Sequence, residues 1–283
     1  MKILTYNVMN GGVNPPTRLE QVMQVLSEQD ADVFGLQETD LKDDANNRLL
    51  RRIREGGTHP YGVVFDRDGA WTYGSAAAMF SKTQPSSSSI VGERVRVVEM
   101  NYVVNDVIGD VLSICNVYLS HKSEAERLPQ VREILEEVGK KKLGVLIGDF
   151  NALSPQDGLN SDIVQQFSPK MMGKYTRDGK LCFDTIEAVL SAGYVDVGLL
   201  YHRAEEITDR TDLSDPKTGG GHTLPMRMDF IFAKRDLVFY LREFTLVRSG
   251  LARTASDHFP WHVTIDESLF RKKDQEIVGM VNK

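Results

Sequence analysis

Short apolar runs recur along the chain, and many end in a polar residue suited to metal or phosphate chemistry. Ile3 to Tyr6 runs into Asn7, Val33 to Gln37 into Glu38, and Val111 to Leu119 is followed by His121. Leu143 to Ile147 ends at Gly148-Asp149-Phe150-Asn151, Met228 to Phe232 carries Asp229, and Ser256-Asp257-His258 precedes Phe259-Pro260-Trp261. Apolar runs of this length bounded by turn residues read as strands. Carboxylates, carboxamides and histidines delivered repeatedly at strand ends point to a hydrolytic site built on a sheet.

The rest of the pattern supplies the frame. A helix is predicted from Thr17, where Thr17 and Glu20 have capping-box spacing and Leu19, Val22, Met23 and Leu26 recur at helical period. With strands Lys2–Val8 and Asp32–Gln37 it makes a strand–helix–strand unit. A polar helix is expected from Asp43 to Arg54, ending at Gly56-Gly57. The middle reads as β-rich: Tyr61–Phe65, Ser75–Ser81, Ile90–Met100, Tyr102–Ile108 and Val111–Leu119, with turns at Arg67-Asp68-Gly69 and Gly109-Asp110 and a short loop from Pro85-Ser86 to Ser89. Ser123 and Glu126 offer a second capping box before a helix that carries Leu128, Val131, Leu135 and Val138 and that kinks at Pro129 or starts near it. Asp184 and Glu187 are expected to cap another helix that stops at Gly193. Residues 201–225 are polar and glycine-rich and would line a site or move. Strands Met228–Ala233, Leu237–Val247 and Trp261–Ile265 close the pattern. No break in composition marks a second domain, so residues 1–270 read as one domain and 271–283 as a charged tail.

Composition narrows the class. The chain has 283 residues, within reach of one large α/β or sandwich fold, and its 41% hydrophobic and 26% charged residues are ordinary for a soluble globular protein. A net charge of -6 argues against a broad basic face but leaves room for a local one. The two cysteines, Cys115 and Cys182, are too few for a disulfide framework. No apolar run approaches the roughly 18 residues of a membrane helix, and no leader precedes the first strand, so a cytoplasmic protein without a membrane span is expected.

Several residues carry candidate chemistry. Glu38 at a strand end suits Mg²⁺, which prefers oxygen donors and keeps several waters; the plainer reading is a solvated surface Glu. Asp149 and Asn151 project to the same side of an extended segment, and such a pair can hold and activate a water while the amide meets a phosphate oxygen or a metal. Otherwise the two form an Asx turn after a strand. His258 can stabilise charge on a scissile phosphate or move a proton, the more so with a carboxylate on its other ring nitrogen, and Asp229 is the candidate partner. His121 would be a second imidazole facing phosphate, and Asn7 would donate to the phosphate or help hold the metal. His59, His202 and His262 read as core or turn residues. His222, in the Gly219-Gly220-Gly221 loop, is kept as a substrate contact.

Taken in order, six segments resemble the endonuclease/exonuclease/phosphatase superfamily of metal-dependent phosphoesterases. They are Leu4-Thr5-Tyr6-Asn7-Val8, Leu36-Gln37-Glu38-Thr39, Val117-Tyr118-Leu119-Ser120-His121, Gly148-Asp149-Phe150-Asn151, Arg227-Met228-Asp229-Phe230-Ile231-Phe232 and Ser256-Asp257-His258. The resemblance implies a four-layer α/β/β/α sandwich, with two packed, mostly antiparallel β-sheets flanked by helices. It implies Glu38 as principal Mg²⁺ or Mn²⁺ ligand, helped by Asn7 and Asp257. Asp149 would position or deprotonate the attacking water, Asn151 would hold a phosphate oxygen, and His121 would be a second phosphate contact. His258, oriented by Asp229, would stabilise the transition state. Water would attack phosphorus in line while the metal neutralises charge.

The expected activity is therefore a Mg²⁺-dependent phosphodiesterase with nucleic acid as substrate. A phosphatase or phosphodiesterase of a small molecule or lipid headgroup is the alternative, toward which the acidic charge leans. A non-catalytic binding module comes third, because all six segments keep their polar residues.

Overall fold

A computed structural model of the chain describes residues 1–12, 17–39, 48–65, 77–92, 96–105, 110–207, 224, 226–248 and 250–270. His222, the 271–283 tail, the Arg67-Asp68-Gly69 turn, the start of the 43–54 helix and most of 201–225 lie outside the described residues.

Among the described residues two six-stranded sheets form the centre, and β9 (Thr176–Arg177) pairs with β10 (Lys180–Leu181) apart from them. The first contains β1 (Lys2–Asn7), β2 (Val33–Gln37), β3 (Tyr61–Phe65), β4 (Ala77–Ser81), β13 (Leu241–Leu246) and β14 (Trp261–Ile265), in the order β13-β14-β1-β2-β4-β3. The second contains β5 (Ser87–Val91), β6 (Arg96–Asn105), β7 (Asp110–Tyr118), β8 (Leu143–Asp149), β11 (Tyr194–Asp196) and β12 (Asp229–Lys234), in the order β11-β12-β8-β7-β6-β5. Each sheet has one parallel pair, β1 with β2 and β7 with β8; the other pairings in both sheets are antiparallel. A parallel pair needs a crossover, and each has one: α1 (Thr17–Gln29) in the first sheet and α3 (Glu124–Val138) in the second. The sandwich expected from the sequence is the fold observed.

Alternation along the strands builds three apolar layers. Ile3, Val33, Met79, Ile114, Val145, Ile231 and Val263 meet between the sheets. Leu4, Tyr6, Phe34 and Phe80 face outward against α1, α2 (Arg48–Gly56) and α8 (Ala252–Ala255), through Val22, Leu49 and Ala252. Cys115, Val117, Leu146 and Phe232 pack on α3 and α5 (Asp184–Ser191), through Val131, Ile134 and Ile186. Burying such side chains is worth about 1.5–3 kcal/mol each, so pleat alternation fixes which face of each strand turns inward. A smaller cluster of Leu153, Met171, Tyr175, Met226 and Met228 lies under α4 (Pro169–Tyr175).

Four local features depart from the sequence reading. The expected break near Asn101 is absent: Asn101 sits buried inside β6, where its side chain donates to Ser87 Oγ at 3.2 Å, and β5 instead ends at Val91, before Gly92 at φ +73°. Ser87–Ser89, read as loop, pair with β6. Residues Arg235–Tyr240 form a 3₁₀ turn rather than strand, since here the chain leaves the second sheet and crosses to the first. α5 is preceded by Phe183 with no side-chain cap; Thr185 N–H donates instead to Glu124 Oε1 on α3, at 2.6 Å. The Ser123 cap holds, and α3 runs through Pro129 from Glu124.

Candidate active site

Parallel pairing aligns the carboxyl ends of β1 and β2 in one sheet and of β7 and β8 in the other, the kind of edge where open α/β sheets bind ligands. Asn7 ends β1 and Glu38 directly follows β2. Register places Tyr118, Asp149 and Asp229 in one row across β7, β8 and β12. Asp257 and His258 lie between α8 and β14, at the same edge of the first sheet.

Hydrogen bonds then tie the two sheets together. Asn7 Nδ2 donates to Glu38 Oε1 at 3.3 Å and to Asp149 Oδ2 at 3.0 Å. Tyr118 Oη donates to Glu38 Oε1 at 3.1 Å. Asp149 also accepts from the Asn151 N–H at 2.8 Å and from Asn151 Nδ2 at 3.0 Å. Asn7 Oδ1 accepts from the Met9 N–H at 3.0 Å. One layer below, Gln37 Nε2 donates to Asn116 Oδ1 at 2.5 Å, and Asn116 Nδ2 donates to the Leu36 and Ala78 carbonyls.

The backbone is held in uncommon conformations around these groups. Glu38 has φ +56° and Asn151 φ +50°, the left-handed region, which costs about 1–3 kcal/mol for a non-glycine residue and is sustained only by its surroundings. Gly148 has φ +139°, and a Cβ there would collide with the Val117 carbonyl on β7. A glycine at this position thus lets β8 approach β7 one residue before Asp149.

His258 is buried, and its Nδ1 pairs with Asp229 Oδ2 at 2.6 Å; Nε2 lies 4.0 Å from Asp257 Oδ1. Burial opposes the imidazolium, but Asp229, with Asp257 and Asp149 behind it, outweighs burial and raises the pKa well above the ordinary value. Among the described residues Asp229 Oδ1 is buried without a hydrogen-bond partner. Ser256 Oγ donates to the Asn7 carbonyl at 2.7 Å, binding the His258 turn to β1. Glu38 is pushed up, first by burial and then by Asp257 and Asp149, against His258 and the Asn7 hydrogen bond.

Seven of the expected residues thus lie together: Asn7, Glu38, Asp149, Asn151, Asp229, Asp257 and His258. His121 is exposed, two residues beyond Leu119, whose carbonyl accepts from Asn151 Nδ2 at 3.3 Å. His59 and His262 are buried away from this edge, as expected: His59 bonds the Ala31 carbonyl at 2.8 Å, and His262 lies within β14.

Four residues without a role in the sequence reading support the site. Tyr118 fixes Glu38. Arg18, buried in the first turn of α1, donates to the Ala255, Val8 and Met9 carbonyls and so joins the segment after β1 to the one before Asp257. Arg227 is buried between Asp196 (3.0 and 2.6 Å) and Asp157 (2.5 Å), clamping the loop beyond Asn151 to the residue two before Asp229. Lys174, half-buried at the end of α4, lies where the charges of Asp149 and Glu38 act on it.

Among the described residues, no group of three or more His, Cys, Asp or Glu is arranged to hold a metal on its own, and no helix is long and apolar enough to cross a membrane.

A family model described as the endonuclease/exonuclease/phosphatase family matches residues 4–258. No curated protein matches the chain. Among solved structures, the chain is similar to a 3′-5′ exonuclease (NExo) from Neisseria meningitidis, with TM-score 0.64 and 19% identity over 94% of this chain and 100% of that one. It is similar to the 3′ phosphatase NExo from Neisseria bound to a product DNA hairpin, with TM-score 0.65 and 18% identity over 94% and 99%. It is also similar to an AP endonuclease from Archaeoglobus fulgidus, with TM-score 0.67 and 20% identity over 94% and 99%.

Proposed function

The chain belongs to the endonuclease/exonuclease/phosphatase family, whose members are phosphoester hydrolases, and on that premise we propose that it is a divalent-metal-dependent phosphodiesterase acting on nucleic acid. The observation that carries this reading is the hydrogen-bonded chain Tyr118–Glu38–Asn7–Asp149–Asn151 running across both sheets beside the His258–Asp229 pair. The DNA hairpin bound by the Neisseria 3′ phosphatase supports the choice of substrate class.

The donor set fits Mg²⁺ or Mn²⁺. Beyond burial, Asp257 and Asp149 both push the Glu38 carboxyl up, and such a concentration of negative charge favours a bound cation. Two carboxylates and one amide fall short of a cage, which suits an ion that keeps most of its waters. Glu38 would be the principal ligand with Asp257; Asn7 presents its NH₂ group to Glu38 and Asp149, and its amide turned over would offer the oxygen. The bound ion would supply charge neutralisation at phosphorus.

The side chains divide the remaining work. Asp149 is oriented by hydrogen bonds from Asn7 and Asn151, which suits a carboxylate that positions the attacking water. As general base Asp149 takes that water's proton. The Asn151 amide would exchange its 3.3 Å bond to the Leu119 carbonyl for one to a phosphate oxygen. His258, held protonated by Asp229, donates from Nε2 to the oxygen on which charge develops. His121 and His222 are the remaining candidate substrate contacts. Residues 1–270 would form the catalytic domain.

Hydrolysis of an aryl phosphodiester and its monoester with Mg²⁺, beside EDTA and Asp149→Asn controls, tests this reading. Diester cleavage lost in both controls is expected. Monoester cleavage alone would move the assignment to a small-molecule phosphatase, the reading favoured by the net charge of -6.

A further inference from the structure

Four carboxylates crowd this edge: Glu38, Asp149, Asp229 and Asp257. A phosphodiester brings one more negative charge, and His258 is already paired to Asp229. A metal at Glu38 and Asp257 would answer that charge on one side only. The Asp149 side needs a cation of its own if a phosphate is to approach without repulsion.

α4 carries one there. Lys174 occupies its last turn, half-buried, with its Nζ 5.8 Å from the Tyr175 ring centre, and burial drives its pKa down against the pull of Asp149 and Glu38. Through Met171 and Tyr175 the helix packs on Leu153 and Met228, which stand two residues after Asn151 and one before Asp229, so α4 lies beside the row that carries Asp149 and Asp229. The backbone at Lys174 is fixed from below. Arg127, fully buried, donates to the Lys174 carbonyl at 2.5 Å and to the Ser120 carbonyl at 3.2 Å, and Glu124 binds the guanidinium at 2.9 and 3.1 Å. One buried pair therefore registers the end of α4 against the segment that leads to His121. Lys170 is four residues back on the same helical face, exposed, and about 6 Å along the axis.

We propose that α4 is the backbone-docking element of the site, with Lys174 contacting the scissile phosphate from the Asp149 side and Lys170 contacting the adjoining phosphate of a polynucleotide strand. The proposal rests on the phosphodiesterase reading and narrows it: a single headgroup has no second phosphate for Lys170. It also reconciles an acidic chain with a polyanionic substrate, since two lysines on one helix face give local attraction without a basic surface.

Binding separates this proposal from the activity on which it rests. A fluorescein-labelled single-stranded oligonucleotide is titrated with the full chain by anisotropy over a series of salt concentrations, without Mg²⁺. Lys174→Met and Lys170→Met should each weaken binding and each lower the slope of log K against log salt by about 0.7. Lys174→Arg should restore the slope, which a merely structural role for the lysine would not predict. Lys140→Met, at the other end of the sheet beyond α3, should leave it unchanged. With Mg²⁺, Lys174→Met should lower kcat/KM on the same strand by ~10²-fold, as for loss of one charge-stabilising donor. Unchanged slopes in both α4 variants would overturn the proposal, and a change in Lys174→Met alone would overturn the polymer assignment. A parent chain that binds through these lysines yet cleaves no diester would defeat the phosphodiesterase reading and leave the docking element standing.

Discussion

His258 and Asp229 belong to different sheets, yet His258 Nδ1 and Asp229 Oδ2 are 2.6 Å apart. Asp229 opens β12 of the second sheet, and His258 precedes β14 of the first. The pair therefore exists only when the two sheets are stacked in register, and so do the bonds from Asn7 to Asp149 and from Tyr118 to Glu38. A site assembled across an interface is rigid in proportion to the packing beneath it, here the apolar layer of Ile3, Ile147, Ile231 and Val263.

Replacing Asp229 with Asn keeps the shape of the side chain and removes the charge that holds His258 protonated. Under the proposed roles, kcat for a phosphodiester should fall by about 10²–10⁴-fold, the usual worth of a positioned acid or base. Far-UV circular dichroism and metal affinity should change little. A variant within threefold of the parent would remove His258 from the transition state.

Tyr118 meets the metal edge at Glu38. Tyr118→Phe deletes the 3.1 Å hydrogen bond and leaves the ring in the core between the sheets. Outer-shell partners of this kind are worth roughly 10–100-fold in metal affinity. The Mg²⁺ concentration for half-maximal activity should therefore rise by about tenfold or more, with little effect at saturating metal. An unaltered Mg²⁺ titration would show that Tyr118 serves packing alone.

How much of this was legible in the sequence follows from where each contact is made. Asn7, Glu38, Asp149 and Asn151 stand at strand ends, where an apolar run stopping at a polar residue is visible locally. The pairing of His258 with Asp229 was legible as chemistry, but not as a bridge between sheets, because stacking leaves no local mark. Tyr118 hid for the opposite reason: a tyrosine closing an apolar strand reads as core, and only the parallel register of β7 on β8 sets it beside Asp149. Arg18 reads as a polar helix residue until its carbonyl partners are seen, and Lys174 sits in a stretch with little periodicity. Asn101 broke a strand on paper because its partner, Ser87, is fourteen residues away.

Arg227 holds two carboxylates in the interior, Asp157 and Asp196, and both sides of the triad are almost fully buried. Arg227→Met would leave two uncompensated acids, and breaking a buried pair costs about 3–5 kcal/mol. Burial already pushes the Asp157 carboxyl up against the pull of Arg227, so protonation of Asp157 is the natural escape. The variant should unfold at lower urea concentration and recover part of its stability as pH falls. Equal urea midpoints for variant and parent would show that the triad adds no stability.

The pH dependence of stability has a marked contributor in His262, on β14 against the first sheet's helices. Burial, and after it the Lys2 ammonium, depress its imidazole to about 4, with Glu243 opposing. In the unfolded chain it titrates near 6.5, as a free histidine does. Between those values the unfolded chain binds a proton that the folded chain refuses, so the unfolded state binds more protons and stability falls as pH falls. Above about 6.5 the contribution is fully present; it is lost progressively down to about 4, by at most about 3 kcal/mol. His262→Gln removes the titration while keeping a polar side chain of similar size. Between about pH 7 and pH 4.5 the variant's Tm should drop by less than the parent's, and parallel Tm curves would assign the acid sensitivity to other groups.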